Sequence, residues 1–337
     1  MMISLPRAAA LSLSALMLSG IALTTSACAG PPPATRPSPR ASAPAPFPDG
    51  ELVVYTDGGE VKIAPPDGSD PVSLTDDIEG EALHPDWSPD GTAVVFAVHD
   101  SDGTRDIWVA RSGETPARLI DCADPCVWTD DPAWSPDGSA IAFHRGTAGD
   151  SRGGIATLET FPLAGGTPAI VATTAAGTYP FSPRWAPDGS RLVVELITFS
   201  SEDIDEEGVD STQLAIIDRT TGAIAELTPA DWGAGTPDWD SDGSRILFVS
   251  APDPTKPYTE ISWIAPAGGA ATPITDVAKD QHRAILGTWS PDATLVVFDE
   301  EIRLGDPSSA VISTVPADGG EVVAWFAGTH PRLRPVS

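Results

Sequence analysis

Two of the five histidines, His84 and His330, stand directly before a proline, and the same repeated slot is filled elsewhere by Asp131, Ser182 and Thr236. Imidazole, carboxylate and hydroxyl groups at one recurring position suit a cation, a sugar or a carboxylate ligand. His84, Asp131, Ser182, Thr236 and His330 are therefore the candidate ligand-binding residues, with Leu286 in the sixth slot. His84, Asp131 and His330 are the groups that could act as metal ligands or as an acid–base pair; no particular metal and no cofactor is assigned. The competing explanation is that polar side chains line a hydrated passage without binding anything specific. The acidic runs Ser201 to Asp210 and Asp100 to Asp106 could hold calcium, although dense carboxylates more commonly mark solvated loops. Catalytic signatures are otherwise sparse: there is no Gly-x-Ser-x-Gly elbow and no His-Glu-x-x-His.

These residues must be positioned by the motif that surrounds them. His84-Pro85-Asp86-Trp87-Ser88-Pro89-Asp90-Gly91 returns around Trp134, Trp185, Trp239 and Trp289, at spacings of 47, 51, 54 and 50 residues. Each copy reads as a short strand ending at Trp, a tight turn and an apolar second strand such as Ala93-Val94-Val95-Phe96. Proline presets the first turn corner, Asp bonds the backbone ahead of it, and Gly takes a left-handed position. A period near 50 residues with four short strands per unit predicts the blades of a propeller, which bury their faces only against neighbours. The five Trp residues at the repeated position are expected to be structural.

The Pro-x-Trp-Ser-Pro-Asp-Gly-x-x-hydrophobic-x-Phe repeat resembles the WD40-like repeat of the TolB-like propeller family, and the resemblance covers most of the chain after residue 50. It implies an all-β, six-bladed propeller of four-stranded blades. Leu52 to Leu74 supplies three strands without a Trp motif, and Thr329-His330-Pro331-Arg332-Leu333 repeats the pattern of the missing one. The C-terminal strand is therefore expected to close the ring onto the N-terminal blade, removing both open edges. The six pre-proline slots would then form a ring near one mouth of the axial channel. By the same resemblance the partner would be an envelope protein or peptide. Propeller oligopeptidases share the repeat but carry a hydrolase domain with no counterpart in these residues, so protease activity is not expected.

Residues 1–27 read as a lipoprotein-type signal peptide: Arg7, an apolar run from Ala8 to Leu23, then small residues before Cys28. Cys28 is the expected site of lipidation, with Thr25 a departure from the usual lipobox; ordinary cleavage after Ala29 and secretion is the alternative. Residues 28–48 form a Pro-rich tether, expected to be extended and semi-rigid, and residues 49–337 form the propeller. Cys122 and Cys126 remain as a pair that should be a disulfide in an oxidising compartment. A net charge of −29 disfavours nucleic acid and anionic lipid as partners. The expected protein is a monomer on the outer face of the cell membrane, touching it through the lipid alone, and a non-catalytic protein-binding scaffold more than an enzyme. The alternatives are a metal-assisted glycan lyase or hydrolase, or a cation or small-molecule sensor.

Overall fold

The computed structural model describes residues 44–123, 126–147, 155–199, 209–251, 259–275, 283–301 and 309–335. They form six antiparallel sheets of four strands each. Blades two to six use consecutive strands, and their inner strands are Glu81–Trp87, Cys126–Trp134, Thr178–Trp185, Gly235–Trp239 and Arg283–Trp289. Blade one takes its inner strand, Thr329–Leu333, from the far end of the chain: Val53 pairs with Leu333 and Thr56 with Thr329. The ring is thus closed as the repeat of the His84-Pro85 pattern at His330-Pro331 led one to expect.

Each second strand lies between neighbouring blades, which is why it is apolar on both faces instead of alternating. Ala93–His99 is buried through its first six residues and Ile246–Ser250 throughout, whereas the outermost strand Ile224–Glu226 is exposed. The repeated turn is held by its own side chains. Asp90 Oδ1 accepts from Ser88 Oγ at 2.7 Å and from the Thr92 amide at 3.0 Å, and Ser88 Oγ accepts from the Ala93 amide at 2.9 Å. Gly91, at φ 66°, closes the turn with its amide 2.8 Å from the Ser88 carbonyl.

The motif tryptophans join one blade to the next. Trp185 packs with Ala133, Ala142 and Leu158 of blade three, Trp239 with Val193 and Leu214 of blade four, and Trp289 with Leu247 and Ile261 of blade five. Indole nitrogens of Trp87 and Trp185 donate to the Arg332 and Ala133 carbonyls of the preceding blade, each at 3.2 Å. Burying one such ring contributes at most about 4–6 kcal/mol. Cys122 and Cys126 are joined, with Cα atoms 5.2 Å apart. Phe47 and Pro48, at the end of the Pro-rich stretch, lie on the ring: Phe47 meets Trp87 edge-on at 5.7 Å and its amide donates to Ser112 Oγ. Cys28 and the signal segment fall outside the described residues, as do residues 201–208 of the acidic run.

Candidate functional site

Every inner strand is broken by a bulge, and the bulge places the pre-proline residue. His84, Asp131, Ser182, Thr236 and His330 all have left-handed backbone, φ 48–54°. That conformation is costly for a non-glycine residue, about 1–3 kcal/mol each, and a following proline disfavours helical geometry further. At several of these positions the amide freed by the bulge reaches a carboxylate, and that of Asp131 donates to Asp130 Oδ1 at 2.9 Å. The Ser182 amide donates to Asp131 Oδ2 and the Thr236 amide to Glu195 Oε2, each at 3.0 Å, in both cases across a blade boundary. Asp299 likewise faces the backbone of Leu286 and His330. Blade six, with Leu286-Gly287 in place of a pre-proline residue and proline, shifts its register between Ala284 and Leu286.

All five expected residues line one chamber of about 100 Å³, together with Leu286, Arg184 and Arg332. The slot falls within each inner strand: His84 is the central residue of Glu81–Trp87, and Thr236 and His330 are the second residues of Gly235–Trp239 and Thr329–Leu333. Arg332, 3.4 Å from both Asp86 and Asp238, separates the chamber from a wider depression of about 310 Å³ at the turn face, framed by Pro89, Pro136, Pro291 and Pro335. Nearby Arg184 is pushed down to about 10 by burial and by the neighbouring Arg332 charge.

One side of the chamber carries a dense ionic cluster. His84 Nδ1 sits 2.8 Å from Asp130 Oδ1 and 3.0 Å from Asp131 Oδ1. Asp130 Oδ2 also meets His99 Nε2 at 2.8 Å and the Arg105 guanidinium at 3.0 Å. Burial opposes charge on His84, but Asp131 and Asp130 together override it and raise the imidazole to about 10. His84 is therefore an imidazolium at neutral pH. Burial likewise opposes ionisation of Asp130 and Asp131, yet His84 holds both well below the usual carboxylate range. His330 lies edge-on to His84 at 4.8 Å and is depressed to about 3 by burial and by the His84 charge, so it is neutral. His144 is fully buried and held neutral by burial, its Nδ1 3.5 Å from Asp131 Oδ2.

Among the described residues, the donor atoms of His84, His99 and Asp130 lie within 4.8 Å of one another and could hold a metal. His330 is not in that set; its Nδ1 is 3.0 Å from Thr329 Oγ1. In the Asp100 to Asp106 loop, Asp102 accepts from the Thr104 amide, and Asp106 accepts from Arg118 and from the Cys122 amide. Asp130, His99, Arg105 and Glu195 were not evident from the repeat alone. One signal for part of this layer does exist. His144, Glu195 and Asp299 are polar residues just after the apolar run of a second strand; His144 and Glu195 pair with Asp130 and Phe181, one residue before the slot, and Asp299 with Leu286, in the slot itself.

No protein-family model matches the sequence, and neither does any curated protein. The fold, however, matches solved structures. TolB from Acinetobacter baumannii superposes with a TM-score of 0.63 at 17% identity, over 87% of this chain and 68% of that one. The chain has a TolB-like six-bladed propeller fold. A chain of a nidogen/laminin complex matches at 0.59 and 10% identity, over 85% of this chain and 98% of that one. An oligogalacturonate lyase in complex with manganese matches at 0.53 and 17%, over 81% and 71%. At these identities the likeness carries the architecture and leaves activity to be argued from the site.

Proposed function

We propose that this TolB-like propeller is an extracytoplasmic protein, anchored through lipid on Cys28, that serves as a monomeric, non-catalytic scaffold for a protein or peptide of the cell envelope. The observation that carries this reading is the division of the channel. The titratable cluster faces a chamber of about 100 Å³, whereas the turn-face depression is about three times larger. Pockets for small organic ligands run to roughly 300–1,000 Å³, so the chamber suits a few waters or an ion and not a sugar ring. Its imidazolium and carboxylates are already paired with one another, as befits a structural core of the ring. The depression, with its proline rim, is the part of the channel that a polypeptide could enter. A partner-binding role also suits the likeness to TolB and to the nidogen/laminin chain.

A photo-crosslinking residue at Pro291, on the rim, tests this on intact cells. One discrete protein adduct from Pro291, absent when the crosslinker stands at Ile170 on an outer strand, is the expected result. The reading fails if neither position yields an adduct while the purified chain depolymerises an acidic polysaccharide. A cation-sensing role has one observation in its favour, the close donor set of His84, His99 and Asp130. Calorimetric titration with zinc, manganese and calcium addresses it, and stoichiometric binding lost in His99→Gln would establish it.

A further inference from the structure

Four of the five motif tryptophans are covered by an arginine. The guanidinium carbon of Arg334 lies 5.6 Å from the Trp87 ring, Arg219 5.4 Å from Trp185, Arg191 5.3 Å from Trp239 and Arg245 4.3 Å from Trp289. Among the described residues no cation stacks on Trp134. Sequence position explains the gap. Arg191 and Arg245 each follow an Asp-Gly-Ser turn of the preceding blade, and the residue after the matching Asp90-Gly91-Thr92 turn is Ala93. Arg219 donates its amide to the Ser190 carbonyl of its own blade, and the residue making that bond in blade three is Leu163, to Ser139. Arg334 directly follows the inner strand of blade one, where blade two has Ser88. All three places that supply an arginine elsewhere are thus occupied by small or apolar residues here.

An open slot results. Trp134 is half-buried, while the four covered rings are only 4–7% exposed. It borders a cavity of about 530 Å³ whose other walls include Ala93, Leu163, Asp90, Asp137 and Arg111. Hydrogen bonds from serine and threonine hold the two carboxylates low, Asp137 at about 2, so both are ionised at neutral pH. Each uses Oδ1 for its own turn. Two carboxylates against the one guanidinium of Arg111 leave the slot anionic, on a chain of net charge −29.

We propose that this slot binds an arginine side chain of a partner polypeptide, stacked on Trp134 with its edge toward Asp90 and Asp137. The internal precedent is the same ring type covered four times by the same group, and arginine favours both an aromatic face and a carboxylate. The inference rests on the protein-binding reading above, and it names the chemistry the partner must present.

The test uses the full chain with Cys28→Ser, labelled so that indole N–H resonances are resolved, and titrated with acetyl-Gly-Arg-Gly-amide. The expected result is a saturable shift of the Trp134 indole, and binding about tenfold weaker for the neutral citrulline peptide. Ala93→Arg, or independently Leu163→Arg, supplies the missing cover from within and should abolish the response. The proposal is overturned if the Trp134 resonance does not move, if citrulline matches arginine, or if the shift survives in both filled variants. It is also overturned if binding emerges only after Arg36 and Arg40 are replaced by Gln, since the occupant would then be the chain itself. Loss of the peptide response with the Pro291 adduct intact would refute this slot and spare the scaffold reading; loss of the adduct alone would do the reverse.

Discussion

Replacing His84 by Gln should strongly destabilise the ring. The imidazole is raised from its ordinary value near 6.5 to about 10 by the two carboxylates it bridges. That difference corresponds to roughly 4–5 kcal/mol of charge-dependent stabilisation. An independent route gives a similar figure: removing one partner of a buried ion pair costs about 3–5 kcal/mol, because the other charge is left uncompensated. For a chain of this size the midpoint of thermal unfolding should fall by about 10 °C at pH 7. A group raised in the folded state contributes stability that is fully present below its unfolded pKa, here about 6.5, and lost as pH passes its folded pKa, here about 10. The gap between parent and His84→Gln should therefore be widest at pH 6 to 7 and close above pH 10. His84→Gln with Asp130→Asn should recover part of the loss, since one of the orphaned charges is gone. Thermal unfolding by circular dichroism across this range reads all three. A midpoint lowered by less than about 2 °C, or a gap that stays constant with pH, would refute the ionic account of the cluster.

Glu195 offers the opposite test. Burial raises its carboxyl to about 7, so its favourable neutral form is complete below about pH 4.5 and lost as pH rises through 7. Glu195→Gln, which can still accept the Thr236 amide, should match the parent at pH 4.5 and exceed it by up to about 3 kcal/mol above pH 7, measured by denaturant titration. Changing Cys122 and Cys126 to Ser should cost about 2 kcal/mol, and proteolytic nicking near residue 124 would reveal the opened loop. Cys28→Ser should move the protein from the membrane fraction to the medium or periplasm on cell fractionation.

Much of the ring could be read from its repeats. The Trp spacing, the Pro-Asp-Gly turns and the His330-Pro331 echo of His84-Pro85 were enough to place six blades and their closure, because turn chemistry is local and is written in adjacent residues. The interior of the channel was less legible. The recurring slot is legible in the sequence, but nothing in it announces that Asp131 or Thr236 adopts a left-handed backbone against the preference of a residue before proline. At Ser182 and Thr236 the amide is taken up by a carboxylate of the neighbouring blade, Asp131 and Glu195, whereas the Asp131 amide bonds Asp130 beside it. The repeat does not single out Asp130, because its ionic partners are distant in sequence. It lies one residue before the aligned slot, and its partners His99 and Arg105 come from blade two. The exception at Trp134 was hidden in the opposite way. Its motif is intact, and only the comparison of what covers each ring separates it from its four counterparts.

The central claim is that the turn-face depression receives the partner while the inner chamber holds the ring together. It is tested most directly by measuring the yield of the adduct in two variants verified as folded. His330→Gln with Thr236→Val alters the chamber and leaves the His84–Asp130 pair in place; Pro136→Arg obstructs the depression. The account predicts an undiminished adduct from the chamber variant and a lost one from the rim variant. An adduct that disappears with the chamber change and survives the obstructed rim would contradict it.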